Sequence, residues 1–212
     1  MGKEWFRKIK YIIKALLDII YPNSYKCITC GREEVEGICD SCREDIAYLD
    51  EGSLGIGYYN KTLKKLIIEF KGHKNFEAGN ILVELIATRL QEYDREYILT
   101  YIPCSKKTMR SRGFNQCEYI ARRLGRMLGF KVVESLSKNN SIKIQKHLSK
   151  QERIDNLRGA FVVKNRCRIM DKKIIIIDDV MTTGATLNEA RRVLLEAKAK
   201  KVIILPIARA KI

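Results

Sequence analysis

The sequence predicts an α/β protein, a parallel sheet with helices on both faces, preceded by a small cysteine-rich module. Three observations predict it. Residues 174–177 and 202–205 are short, continuously apolar runs, the pattern of strands buried on both faces of a parallel sheet. From residue 53 onward such runs alternate with segments of helical period, as in α/β units. Ahead of them, Cys27, Cys30, Cys39 and Cys42 form two C-x-x-C pairs separated by eight residues.

The first segment, KEWFRKIKYIIKALLDII over residues 3–20, places Trp5, Phe6, Ile9, Ile12, Ile13, Leu16, Leu17, Ile19 and Ile20 on one arc. The arc spans about 160° at about 100° per residue. Lys3, Arg7, Lys8, Lys10 and Lys14 lie opposite, and Pro22 ends the run, so residues 1–22 read as an amphipathic helix. Such a helix packs on its own domain, or lies on a membrane surface or a partner protein; the sequence leaves both open. Lys8, Lys10, Lys14 and Asp18 interrupt its apolar run, and no small-residue cleavage site follows, so a secretory leader is not expected. The expectation is a cytoplasmic protein whose thiols stay reduced.

In that setting the paired cysteines of the 23–50 module read first as metal ligands. Each C-x-x-C turn presents two thiolates, and Gly31 directly after the first pair supplies the permissive backbone such a knuckle needs. Four sulfurs suit a tetrahedral, structural zinc ion with no open coordination position. A disulfide or a redox C-x-x-C is the alternative, although a redox site needs only one pair.

The α/β unit then covers residues 51–212. Strands are expected over 53–59, 95–103, 131–134, 159–163, 172–179 and 200–208. Helices are expected over 61–72, 77–93, 115–129 and 184–197, with a short one near 149–157 after a polar stretch. Between Pro103 and the helix holding Gln116 lies a basic loop with Lys106, Lys107, Arg110 and Arg112. Pyrophosphate and a nucleic-acid backbone are both arrays of phosphate oxygens, and either would suit this loop.

Charge narrows the partners. Forty-one basic against 25 acidic residues leave a formal +16, a surplus that favours polyanions such as nucleic acid, an anionic membrane face or a phosphate-rich small molecule. Aromatic residues make up only 8%, so a base-stacking platform is not signalled and strand contact is expected to be mainly electrostatic.

The most informative segment is IIIIDDVMTTGAT, a buried strand followed by Asp178 and Asp179 and a loop of small hydroxyl residues that opens a helix. Ligands of open α/β sheets bind at the carboxyl ends of strands, and a helix N-terminus offers free N–H groups to an anion. Thr182, Thr183, Gly184, Ala185 and Thr186 can wrap a monophosphate, while the two aspartates accept hydrogen bonds from vicinal sugar hydroxyls. Neither GxxxxGK[ST] nor GxGxxG is present, which leaves a sugar-monophosphate site.

This pattern resembles the signature of type I phosphoribosyltransferases. The resemblance implies a phosphoribosyltransferase-like parallel sheet, following the N-terminal zinc ribbon read from the cysteine spacing. It also implies binding of phosphoribosyl pyrophosphate (PRPP) by Asp178, Asp179, Val180, Met181, Thr182, Thr183, Gly184, Ala185 and Thr186. Magnesium on the pyrophosphate is implied with it. Together with the four-cysteine ribbon, RSRGFNQ, and Gln145, Arg153 and Asn156 leading into NLRGAF, the chain resembles the ComF family of competence proteins over residues 22–209. Where that family commonly has a histidine and several arginines after the proline, this chain has Cys104, Ser105, Lys106, Lys107 and Thr108.

The family resemblance implies a part in natural transformation on the cytoplasmic side, with single-stranded DNA as a partner. The N-terminal helix is then a candidate contact with the inner membrane face or the DNA-uptake machinery. Three functional readings follow: a DNA-uptake protein that binds single-stranded DNA and PRPP, an active phosphoribosyltransferase using PRPP and magnesium, and a PRPP-responsive regulator. No catalytic residue is singled out by the sequence.

Overall fold

The computed structural model describes residues 25–50, 53–139 and 158–210. The expected helices over 3–20 and 149–157, and Gln145, Arg153 and Asn156, lie outside the described residues.

The described elements in chain order are α1 (Asp40–Glu44), β1 (Gly57–Tyr58), α2 (Lys61–His73), α3 (Phe76–Leu90), β2 (Ile98–Tyr101), α4 (Lys106–Arg112) and α5 (Gln116–Leu128). They continue with β3 (Lys131–Val132), β4 (Leu136–Lys138), β5 (Phe161–Val163), β6 (Lys173–Met181), α6 (Ala185–Glu196) and β7 (Lys201–Arg209). Five strands form one sheet in the order β1-β7-β6-β2-β3, and every pairing in it is parallel.

The centre is β6, where Ile174, Ile175, Ile176 and Ile177 are all fully buried. Side chains of a strand alternate between its faces, and here the alternation assigns two cores. Ile175 and Ile177 join Leu99, Tyr101, Leu205 and Ile207 beneath α2, α3 and α5. On the other face, Ile174 and Ile176 join Leu187, Ala190 and Leu194 of α6, with Leu136 and Phe161 from a small hairpin. Helices therefore cover both faces, as the continuous apolar runs require.

Among the elements absent from the sequence expectation, α4 and β4 lie nearest the basic loop and the polar stretch. Residues 106–112, read as a loop, form α4: the Ser105 hydroxyl caps it by accepting from the Thr108 N–H at 3.0 Å, and Gly113 closes it at φ +83°. The sequence assigns no element to residues 136–138, yet β4 pairs antiparallel with β5 in a separate two-stranded sheet. Three residues carry no readable period; the strand exists because Leu136 is buried and the Lys138↔Phe161 pairing holds it in place.

The cysteine module shares the first core, since Cys27, Ile38, Cys39, Cys42 and Ile46 belong to the same cluster as α2 and α3. Backbone bonds fasten its exit, with Tyr58 N–H donating to Ala47 O at 2.8 Å and Leu49 N–H to Ile56 O at 3.2 Å. The approach is so close that a Cβ on Gly57 would stand 2.4 Å from the Ala47 carbonyl oxygen. Only glycine admits that contact without moving one backbone against the other.

Candidate functional site

The four cysteine sulfurs lie within 4.8 Å of one another, as the two turns predict. Cys30 Sγ and Cys39 Sγ stand 3.7 Å apart, close to the ~3.8 Å edge of a tetrahedron with ~2.3 Å zinc–sulfur bonds. The Cys39 N–H points at Cys27 Sγ at 3.4 Å, the backbone donor a thiolate ligand needs. Gly31, at φ +77°, closes the first turn by donating to Cys27 O at 2.8 Å. None of the seven cysteines is bridged, and the four of the module form one cluster of sulfurs rather than two bonded pairs. The thiols are shifted apart. Burial opposes a lowered Cys27, yet the backbone N–H groups of Cys30, Cys39 and Thr29 hold its thiol down to about 6, and the Ser41 hydroxyl lowers Cys39. Burial, then the sulfurs of Cys39, Cys30 and Cys27, push the Cys42 thiol up to about 12. The donor set, spacing and closure fit a structural zinc ion.

The second centre lies where β6 runs out of the core. Asp178 pairs in register with Pro206 of β7. Beyond it, Thr182 and Thr183 turn the chain into α6 through Gly184 at φ +73°. The Thr183 hydroxyl accepts from the Ala185 N–H at 3.4 Å. The first turn of α6 contains no acidic residue, so its N–H groups face no competing carboxylate of their own helix. Asp178 and residues 180–187 line one shallow cavity of about 30 Å³. Eight of the nine residues singled out in this segment therefore meet there.

The ninth, Asp179, is held from the side. Its Oδ1 accepts from the Val180 N–H at 2.7 Å, while its Oδ2 receives Lys71 Nζ from the end of α2 and Gln116 Nε2 from the start of α5, each at 3.1 Å. Asp178 Oδ1 accepts from the Asp179 N–H at 2.9 Å and faces the buried Cys117 thiol at 3.6 Å. Burial first, and then the adjacent Asp179 charge, push the Asp178 carboxyl up to about 7; the Asp179 N–H, the Cys117 thiol and the Lys138 charge oppose the rise. The folded state thus keeps a proton that the unfolded chain has already lost, so this group's contribution to stability declines as pH rises from about 4 to about 7. Burial and the two carboxylates likewise push the Cys117 thiol well above its usual value, which makes it an inert packing group.

Of the basic residues after Pro103, only Arg112 is drawn into this centre, through a hydrogen bond to Gln116 Oε1. Lys106, Lys107 and Arg110 are exposed on α4. Lys71 and Gln116 were not singled out as ligands of the acidic pair. The sequence distance hides them, since Lys71 is 108 residues from Asp179 and Gln116 is 63.

Comparison with known proteins agrees with this geometry. Residues 109–211 match the model of the phosphoribosyl transferase domain, and the fold is of that type. The chain is 29% identical over 181 residues to Competence protein ComFC of Streptococcus pneumoniae, covering 83% of this chain and 77% of that protein. It is 30% identical over 178 residues to Competence protein ComFC of Bacillus subtilis, covering 80% and 71% respectively. It is also 29% identical over 154 residues to the DNA utilization protein YhgH of Escherichia coli strain K12, covering 68% and 66%.

Stripping the metal with a strong chelator is expected to lower the melting midpoint by roughly 10 °C, at about 2–4 °C per kcal/mol for a chain of this size. Cys39→Ser is expected to do the same and to bind less than one zinc per chain by elemental analysis. An unchanged midpoint after verified metal removal would contradict a structural role.

Proposed function

The chain belongs to the ComF family of competence proteins, and from that premise we propose that it serves DNA uptake by binding PRPP at the end of β6 and single-stranded DNA on its basic surface. The observation that carries the PRPP half is the convergence of Asp178 with the 180–187 loop in one cavity at the carboxyl end of the central strand. In this reading the 5′-phosphate takes the N–H and hydroxyl donors of Thr182, Thr183, Gly184, Ala185 and Thr186, at the positive end of α6. Asp178 and Asp179 accept from the ribose hydroxyls. Hydroxyls suit a carboxylate with a raised proton affinity, because a donor on the oxygen replaces the proton it would otherwise keep.

Two oxygen-bearing side chains whose charges are only partly compensated by Lys71 also fit a hard cation arriving with its ligand. Magnesium, when bound, neutralises the pyrophosphate and leaves waters in most of its coordination positions. Lys71 and Arg112, at the rim of the acidic pair, are placed to meet the remaining phosphate charge.

The DNA half is supported by the +16 surplus and by Lys106, Lys107 and Arg110, which α4 leaves exposed beside the site. It agrees with the names of the relatives, two of them competence proteins and one a DNA utilization protein. No helix among the described residues is long and apolar enough to cross a membrane. In this reading the amphipathic sequence of residues 1–22 is the candidate contact with the uptake machinery or the inner membrane face.

Titration of PRPP with magnesium into the wild type is expected to give saturable heat, and the Asp178→Asn, Asp179→Asn double variant is expected to give none while keeping its fold by circular dichroism. Equal binding by both would remove the acidic pair from the site. Strand affinity is expected to fall by about 50-fold between about 50 and 200 mM salt if four phosphates are neutralised, at roughly 0.7 ion per phosphate. A salt-independent affinity would overturn the electrostatic reading.

A further inference from the structure

Aromatic residues are sparse in this chain, yet four of them gather next to the acidic pair. Phe70 is fully buried at the end of α2 and forms the base of the group. Phe114 and Tyr119 stand 5.2 Å from it, ring to ring, and Phe76 stands 6.1 Å away. Phe76 also contacts Phe114 at 5.2 Å and Tyr119 at 5.3 Å. Rings at these separations and tilts support one another and hold a fixed surface. Gly79 permits the assembly, since a Cβ there would come within 2.7 Å of the Phe70 ring.

Phe76 nevertheless leaves 45% of its surface in solvent, although it opens α3 beside a buried aromatic base. Its surroundings are cationic. Lys71, one residue from Phe70, holds Asp179; Lys74 is exposed in the turn two residues before Phe76; Arg112 bonds Gln116, two residues after Phe114. Of the neighbouring carboxylates, Glu118 pairs with Arg122 and Glu69 with Lys65, while Glu77, the next residue of α3, is exposed. A rigid, half-exposed aromatic surface beside the exposed Lys74 and the ion-paired Lys71 is complementary to a flat, π-bearing group attached to phosphate.

We propose that Phe76 and Phe114 form a seat on which a nucleobase stacks beside the acidic pair. The inference deepens the proposed function and rests on it, naming the contact that the strand or a free base makes next to the sugar-phosphate site. Stacking on an aromatic face is tolerant of base identity, because every base has a π-face. The seat therefore adds base-dependent affinity to a surface whose other contacts are electrostatic, and it does so without sequence preference.

The test uses the full chain with its metal and compares a labelled oligothymidylate of about 15 residues with an abasic strand of equal length and charge, by fluorescence anisotropy. The wild type is expected to bind the base-bearing strand at least roughly tenfold more tightly. Phe76→Ala should abolish that difference and leave the abasic affinity unchanged, whereas Phe76→Tyr should preserve it. Met127→Ala, which removes an exposed apolar side chain elsewhere, should change neither. Equal wild-type affinities for the two strands would overturn the seat while leaving electrostatic strand binding intact.

If neither strand binds, the DNA half of the proposed function fails, and calorimetry with adenine and thymine in the presence of PRPP and magnesium decides the seat. Saturable binding lost in Phe76→Ala would assign it to a free base, and no binding by the wild type would overturn it. A melting midpoint for each variant within a few degrees of wild type confirms that the comparison is between folded proteins.

Discussion

The structure depends on one constraint: a strand buried on both faces must deliver two carboxylates to the edge of its own core. The four isoleucines of β6 are fully buried, and each contributes on the order of 2 kcal/mol by leaving water. Their alternation joins two cores across one strand. That burial fixes the register of β6 between β2 and β7, and hence the position at which the chain leaves the sheet. Asp178 is only one residue beyond this apolar run. A carboxyl placed there has little water, and Asp179 adds a like charge; together they account for its raised proton affinity. The favourable packing of the strand offsets an unfavourable charge arrangement at its end, a distribution expected where a ligand completes the site.

The neighbouring elements respond to that arrangement. Lys71, Gln116 and, through Gln116, Arg112 converge on Asp179 from the ends of α2, α5 and α4. Asp179 is accordingly tied to the scaffold, while Asp178 stays on the cavity wall with the threonine loop. The two adjacent aspartates are held differently: Asp179 ties three helix ends together, and Asp178 lines the cavity formed by the threonine loop. The cysteine module is fastened to the same scaffold, because its buried sulfurs share a core with α2 and α3 and Gly57 brings the two backbones into contact. A metal that closes this module therefore also supports α3, whose first residue is Phe76.

What could be read from the sequence follows from physical range. The buried strands, the long amphipathic helices, the zinc-type cysteine spacing and the DDVMTTGAT loop are local patterns, and each is legible because its residues lie close together in sequence. The α4 helix is not signalled in the sequence, because its seven residues bury no side chain and no apolar period marks it. The strand β4 was missed because only pairing with β5 defines it. Lys71 and Gln116 reach Asp179 from 108 and 63 residues away, and no spacing rule connects them. The aromatic cluster was hidden in the same way: an 8% aromatic content argued against a stacking surface, whereas folding brings Phe70, Phe76, Phe114 and Tyr119 together.

The central claim is that the end of β6 holds a carboxyl whose charge is opposed by burial and by its neighbour until a ligand arrives. Carbon-13 NMR titration of the aspartate carboxyls, with Asp178→Asn used for assignment, tests it most directly. The account predicts a resonance titrating near pH 7 that is absent from the variant. It also predicts that the resonance moves to lower pH in Asp179→Asn, where the like charge is gone. An Asp178 carboxyl titrating near the ordinary value of about 4 would mean that the strand end is open to water, and would contradict the account.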